Sequence, residues 1–158
     1  MTVDIEVLRE VTDETLRAFG RLLPQLSRSA PPLDHAALTR VVTAACNHVL
    51  VARARAAADE PGEIIGTLTL TMFPIPTGLR ARIEDVVVDE AARGQGAATA
   101  LTLEALRIAR GQGARNVDLT SRPSREAAGR LYEHLGFERR DSRQYRFIIE
   151  AGQVPSRA

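Results

Sequence analysis

The sequence predicts one α/β (α+β) domain, in which a mixed, mostly antiparallel sheet of about six or seven strands carries about four helices on its two faces. Three observations support this. The chain has 158 residues, the length of one ordinary domain. Apolar residues alternate with polar ones in some segments and follow a helical period in others. A strand–helix–strand unit in the second half predicts a parallel crossover, whereas the consecutive strands before it predict antiparallel pairing.

The first elements are a strand within residues 3–11 and two helices. The strand follows from the alternation of Val3, Ile5 and Val7 in VDIEVLREV. Thr12 or Asp13 can cap the first helix, and Asp34 can cap the second after the break at SAPPLD. The first helix has one apolar stripe, which comprises Leu16, Phe19, Leu22, Leu23 and Leu26.

Three strands follow in the segments HVLVARAR, EIIGTLTLTMF and LRARIEDVVV. The turn AADEPG separates the first two, and the loop PIPTG separates the last two. All three segments are rich in β-branched or alternating apolar residues. Together with the first strand they predict a meander of neighbouring strands.

The second half begins with a helix from about Gly96 to Arg110, which glycines of GQGA close. RNVDLTS predicts a strand, and Ser124 can cap a helix from about Arg125 to Leu135 that ends at Gly136. FERRDSRQYRFIIE predicts one or two final strands with a turn at RDS. Residues 1–150 thus form the domain, and residues 151–158 are predicted to be a frayed tail.

Composition excludes several classes of function. The formal net charge is +1, so no global field favours nucleic acid or an anionic membrane. The chain has no lysine, which excludes a Lys Schiff base and a phosphate-loop Lys. The single cysteine, Cys46, lies in an apolar run and is expected to be a buried thiol in a reducing compartment. With no apolar signal core or membrane-length run, the sequence predicts a soluble cytoplasmic protein.

A glycine-bearing loop at the start of a helix indicates where chemistry occurs. In VVVDEAARGQGAATAL, a strand ends and Arg93, Gly94 and Gly96 precede the helix. Free N–H groups and the positive end of the helix dipole attract phosphate there, and glycine allows close approach. The loop therefore predicts a pyrophosphate site. The alternatives are a dinucleotide site, for which Thr99 stands where a third Gly or Ala is needed, and an unoccupied tight turn.

The loop and a second motif resemble the GNAT superfamily of acyl-CoA-dependent N-acyltransferases. The family's R/Q-x-x-G-x-G/A pattern is matched by Arg93, Gly96 and Ala98. Its A-x-x-L-Y-x-x-x-G-F block is matched within SREAAGRLYEHLGF, which includes Tyr132. The resemblance covers about residues 83–137 and implies a GNAT-like fold and transfer of an acetyl group from acetyl-CoA to a primary amine.

The resemblance also implies a set of cofactor-binding residues. Main-chain N–H groups of the loop would hold the pyrophosphate, and the free backbone of the preceding strand would pair with the pantetheine arm. Many family members carry Asn at the position of Arg125, which here could reach the phosphates instead. The full set is Val86, Val87, Val88, Arg93, Gly94, Gln95, Gly96, Ala97, Ala98 and Arg125.

Three residues are candidates for proton transfer. Tyr132 is expected to protonate the departing thiolate, since a phenol with pKa about 10 can serve as a general acid. Glu84 is the first candidate for accepting the amine's proton, because it lies two residues before Val86 and should share that residue's strand face. Asp85 is the second candidate, and it points to the other face unless a bulge intervenes. A water relay stays open as well.

The acceptor is expected to be a small-molecule amine rather than a protein lysine or N-terminus. RIEDVVVD somewhat resembles the corresponding strand of amino-sugar phosphate acetyltransferases, although short acidic-apolar strands are common. The loop 73–80, the helix pair around SRSAPPLD, and a strand face shared by Asp118 and Thr120 could line the acceptor site.

A non-catalytic acyl-CoA-sensing module is the alternative function. No metal is expected, and the strand RQYRFIIE could pair across a homodimer.

Overall fold

A five-stranded mixed sheet forms the centre of the molecule in a computed structural model, which describes residues 3–55 and 61–149. The strands lie in the order β1-β2-β3-β4-β5. The first four pair antiparallel, and β5 joins β4 in parallel. Their bounds are Val3–Val7, Asn47–Ala54, Ile64–Ile75, Gly78–Val88 and Val117–Asp118. The meander and the parallel crossover that the sequence predicts are both confirmed.

Four α-helices accompany the sheet, as predicted. They span Asp13–Leu26 (α1), His35–Thr43 (α2), Ala97–Gly111 (α3) and Glu126–His134 (α4), and a short 3-10 turn at Glu90–Ala92 precedes α3. Thr12 caps α1 through a reciprocal bond pair with Thr15. Asp34 caps α2 by accepting a hydrogen bond from the Ala37 N–H at 2.7 Å. None of the helices in the described part of the chain is long and apolar enough to cross a membrane.

Two apolar clusters lie on opposite faces of the sheet, as the predicted layering requires. One packs α3 against the middle of β2, β3 and β4, around Leu68, Leu70 and Leu101. The other packs α1 and α2 against the opposite face, around Leu22 and Leu38. All five of these leucines are fully buried. The sheet between the two clusters thus forms the rigid platform of the fold.

The structure corrects several predictions for the second half of the chain. Within the described residues the sheet has five strands rather than six or seven, because residues 138–149 form no regular secondary structure. RNVDLTS does form a strand, but one of only two residues. The N-cap of α4 is Arg125 rather than Ser124, without a side-chain capping bond. Thr120 lies outside β5, so it shares no strand face with Asp118. The predicted tail at residues 151–158 and most of the turn AADEPG lie outside the described residues.

Cys46 also differs from its prediction. The second helix ends at Thr43, so Cys46 lies in the turn before β2 and is exposed. Its apolar run, LTRVVTAACNHV, is helical only as far as Thr43, and the last part of the run belongs to β2.

Candidate active site

A β-bulge in β4 shapes the candidate site. Thr67 pairs with Val87 and Thr69 pairs with Glu84, so Leu68 stands opposite two residues of β4. One of them, Asp85, has φ of +51°, a left-handed conformation that non-glycine residues seldom adopt. Bulges re-aim the side chains beyond them and are common beside active sites.

The bulge reverses which side chains face which layer. Before it, Ile83 packs on the α3 side. After it, Val86 and Val88 pack on the α3 side, whereas Val87 belongs to the α1 and α2 cluster. Because neighbouring strand residues point to opposite faces, Glu84 lies on the side away from Ile83. The expectation that Glu84 shares the face of Val86 is therefore wrong, because the inserted residue shifts the alternation by one.

The end of β4 diverges from β5 just where the bulge begins. The parallel pairing joins Ala81 to Val117 and Arg82 to Asp118. Beyond these two positions β5 ends, while β4 continues to Val88. The β5-facing edge of β4 from residue 83 onward thus has main-chain groups that a ligand can use, which is the opening that the predicted pantetheine contact needs.

The glycine loop follows directly. Gly94 and Gly96 have φ of +78° and +83°, conformations that need glycine. Gly96 is the N-cap of α3 and brings no side chain to cap it. The first amides of α3 are therefore left for a ligand, as an anion site requires. Arg93 lies on the rim, with its guanidinium 3.3 Å from the Glu90 carboxylate.

A cavity of about 360 Å³ lies against this loop. Its walls include Arg93, Gly94, Gly96, Ala97 and Ala98 from the predicted set, together with Val88. The first turns of α4 complete the walls with Leu131, the leucine of the A-x-x-L-Y block, and with Ala127, which is not one of the matched positions. Their separation of four residues on one helix face was the available signal. The structure thus brings the two sequence motifs to one cavity, whereas Val86, Val87, Gln95 and Arg125 do not line it.

Tyr132 lies on α4 next to this wall and is half-buried. Its ring packs edge-on against Phe137, with 5.6 Å between the ring centroids and 65° between the planes. Burial raises the pKa of the Tyr132 phenol, and the Arg125 cation opposes that rise. The phenol therefore stays protonated at neutral pH, as a proton donor must.

The two candidate carboxylates have different surroundings. Glu84 forms an ion pair with Arg82, two residues earlier on the same strand face. Asp85 is exposed by surface area, yet nearby protein displaces part of its hydration. That desolvation, followed by the charge of Glu84, raises the pKa of Asp85. A raised pKa makes Asp85 a stronger base than an ordinary aspartate.

From the sequence the bulge at Asp85 is only an open alternative, although the strand pattern carries a signal for it. Leu79, Ala81 and Ile83 alternate on one face, and a continued alternation would place the next inward side chain at Asp85. A carboxylate at an inward position, followed by three valines, indicates that the register changes there.

Comparisons with known proteins agree with this geometry. The model of the acetyltransferase (GNAT) family matches residues 11–137. A glucosamine 6-phosphate N-acetyltransferase of Trypanosoma brucei brucei is 35% identical over 151 residues, 93% of this chain and 97% of the relative. A solved acetyltransferase of Trypanosoma brucei is 30% identical with a TM-score of 0.74, covering 94% of this chain and 100% of that one.

A further structural neighbour shows the fold alone. Glucosamine-6-phosphate N-acetyltransferase of Arabidopsis thaliana has a TM-score of 0.74 at 18% identity, covering 94% of this chain and 100% of that one.

The match of the family model over residues 11–137 establishes that the chain belongs to the GNAT acetyltransferase family. It is an acetyl-CoA-dependent N-acetyltransferase.

Proposed function

We propose that the enzyme transfers the acetyl group of acetyl-CoA to a primary amine of a small molecule, by direct attack while both substrates are bound. The observation that carries this proposal is the cavity that the glycine loop and α4 enclose together. Its loop wall carries the first amides of α3, and its α4 wall includes Leu131, the residue before Tyr132.

The loop residues would hold the diphosphate of the donor. The amides of residues 93–98 lie just before α3 and in its first turn, where the helix dipole adds partial positive charge, although the Arg93 N–H also donates to the Glu90 carbonyl at 3.4 Å. Gln95 and Arg125 would contribute from the rim of the cavity. Val86, Val87 and Val88 would use backbone groups for the pantetheine arm and side chains for the core, since the β5-facing edge of this part of β4 lies open.

The transfer needs two proton movements. The amine nitrogen attacks the thioester carbonyl, forming the C–N bond, and the C–S bond breaks as the sulfur leaves as a thiolate. Tyr132 would give its phenolic proton to that sulfur. The nitrogen's surplus proton would go to a carboxylate, directly or through water. A main-chain N–H of β4 near the bulge would polarise the carbonyl oxygen.

Asp85 is the carboxylate that the structure favours as the base. Its raised pKa suits proton acceptance, and its left-handed backbone is the kind of local strain that collects at functional sites. Glu84 is the second candidate, and its carboxylate forms an ion pair with Arg82.

We propose an amino-sugar phosphate as the acceptor. The support is the 35% identical relative, whose name gives glucosamine 6-phosphate. On the sheet face that carries Glu84, the neighbouring side chains are polar and half-buried, which suits a hydroxylated ligand: Thr69, Thr71 and Arg82. Protein amines are the competing acceptors, and the cytoplasm is the expected location.

We also propose that the enzyme forms a homodimer through its C-terminal segment. Residues 144–149 follow an alternating, β-branched pattern, yet they lie unpaired in the described structure. Tyr145, Phe147, Ile148 and Ile149 are between 66% and 87% exposed. A second copy could cover this apolar surface by strand addition. Size-exclusion chromatography with light scattering tests this, because Phe147→Glu should convert a dimer into a monomer.

The transfer itself is tested by thiol release from acetyl-CoA with glucosamine 6-phosphate as acceptor. Release above the amine-free background is expected, with glucosamine and a lysine peptide as comparison acceptors. Release with the peptide alone would overturn the small-molecule proposal. Tight acetyl-CoA binding without release for any amine would favour the sensing module instead.

A further inference from the structure

We propose that Arg21, on α1, is a positioning residue for the acetyl-CoA loop. The inference rests on the proposed function in one respect, namely that the amides of residues 93–98 bind the donor's diphosphate. Arg21 is outside the cavity lining and would act through the segment that leads into the loop.

Three contacts join Arg21 to that segment and to the sheet. Its Nε lies 2.9 Å from Asp89 Oδ2, directly after β4. One terminal nitrogen donates to the carbonyl of Ile64 at 2.7 Å, and the other lies 3.0 Å from the Glu63 carboxylate. The planar guanidinium thus connects α1, the start of β3 and the end of β4 with several donors at once.

Asp89 passes this constraint to the loop. Its carboxylate also accepts a hydrogen bond from the Ala91 N–H at 3.1 Å, and its own N–H donates to the Ile65 carbonyl at 2.8 Å. The side chain is only 17% exposed, so the ion pair with Arg21 is partly shielded from solvent. Four residues along α1, Gln25 accepts a hydrogen bond from the Glu90 N–H at 3.0 Å.

Between Ala92 and Ala97, which are both buried in the α3-side cluster, the loop has few other constraints. A Cβ built on Gly94 or on Gly96 would meet no atom within 4 Å, so side-chain packing does not define the path there. Gly96 also brings no capping side chain to α3. The direction in which the loop leaves β4 therefore depends on the contacts that hold Asp89 and Glu90, which Arg21 and Gln25 of α1 make. Preorganised amides bind an anion better than amides that must first be ordered.

The test compares acetyl-CoA binding and kinetics for Arg21→Met, Arg21→Lys and wild type. Arg21→Met should raise both the Kd and the KM for acetyl-CoA about tenfold, which corresponds to the loss of about 1.4 kcal/mol. The kcat and the acceptor KM should change by less than about twofold, because reacting groups are untouched. Arg21→Lys should recover part of the affinity, since it can reach Asp89 but cannot make all three contacts.

Arg107→Met is the matched control. It also removes an exposed arginine and an ion pair, with Glu104 of α3, but lies away from the loop entry. It should leave the acetyl-CoA Kd unchanged. If Arg21→Met folds poorly, Asp89→Asn removes the ion pair while keeping an oxygen for the Ala91 N–H, and it should weaken acetyl-CoA binding to a similar degree.

Two results would overturn the inference, and they are distinguishable. A folded Arg21→Met or Asp89→Asn variant with the wild-type acetyl-CoA Kd refutes the positioning role alone. A wild-type enzyme that fails to bind acetyl-CoA refutes the proposed loop site and the positioning role together.

Discussion

The two halves of the sheet differ sharply in how they are held. Strands β1 to β4 are joined by long antiparallel ladders and covered on both faces by buried side chains. Beyond β4, the strand β5 pairs through two residues, and none of the nine residues of α4 is buried. We infer that the first half supplies most of the stability, while α4 in the second half contributes one wall of the cavity.

The largest expected effect tests where stability resides. Leu68 is fully buried in β3, so Leu68→Ala should lower the free energy of unfolding by about 2–5 kcal/mol. Leu135 is half-buried at the end of α4. Leu135→Ala should lower the free energy of unfolding by less than about 1 kcal/mol, because little buried apolar area is lost. Urea unfolding measures both. Equal losses would contradict the division into two halves.

The next effect is on catalysis in the loosely packed half. Tyr132→Phe keeps the ring contact with Phe137 and removes the phenolic proton. If Tyr132 is the acid, kcat should fall about 100-fold or more, while the acetyl-CoA Kd stays near wild type. Tyr145→Phe is the matched control, since Tyr145 is 86% exposed and far along the C-terminal segment. Equal rates for the two variants would remove Tyr132 from the mechanism.

A smaller effect concerns the bulge between the halves. The pKa of Asp85 is raised in the folded state, so its ionisation disfavours folding. The folded state binds this proton more tightly, and stability falls as the pH rises through the range between the unfolded and folded pKa values. Asp85→Asn should therefore raise the melting temperature at pH 7 slightly and have a smaller effect near pH 3. Asn also tolerates the left-handed backbone.

The same variant should lower kcat if Asp85 is the base, and the rise of kcat/KM with pH should flatten. Glu84→Gln provides the comparison, because it keeps the bulge and removes the neighbouring charge. If Glu84→Gln abolishes activity and Asp85→Asn does not, the assignment of the base is reversed. Thermal melts and a pH–rate profile on the same samples separate the stability effect from the catalytic one.

The same division explains what the sequence could predict. In β1 to β4, the alternation of apolar residues agrees with the observed strand pairing. The order of the elements, the presence of helices on both faces of the sheet and the caps at Thr12 and Asp34 could therefore be predicted from local sequence. In the C-terminal segment, RQYRFIIE has strand propensity, but a strand needs a partner, and the described residues supply none. The prediction that Glu84 and Val86 share a strand face was wrong for another reason. One inserted residue at Asp85 inverts the alternation of side chains beyond it.

The candidate site was predictable as far as its motifs allowed. The glycine loop and the Tyr132 block lie 30 or more residues apart in sequence, and only the resemblance connected them to one ligand. On α4 the cavity is lined by Leu131, which belongs to the second motif, and by Ala127, an apolar residue outside the matched positions. The proposed positioning role of Arg21 depends on its contact with Asp89, which is 68 residues away in sequence. Local sequence patterns do not predict such a contact.

Acetyl-CoA calorimetry on Gly96→Val tests the central claim most directly. The claim predicts that binding falls at least about 100-fold, because a β-branched residue cannot hold the left-handed conformation at φ of +83° that presents the amides. Gly113→Val imposes the same strain at φ of +77° just beyond the other end of α3 and should bind normally. Wild-type affinity in a folded Gly96→Val protein, or equal loss in both variants, would contradict the claim.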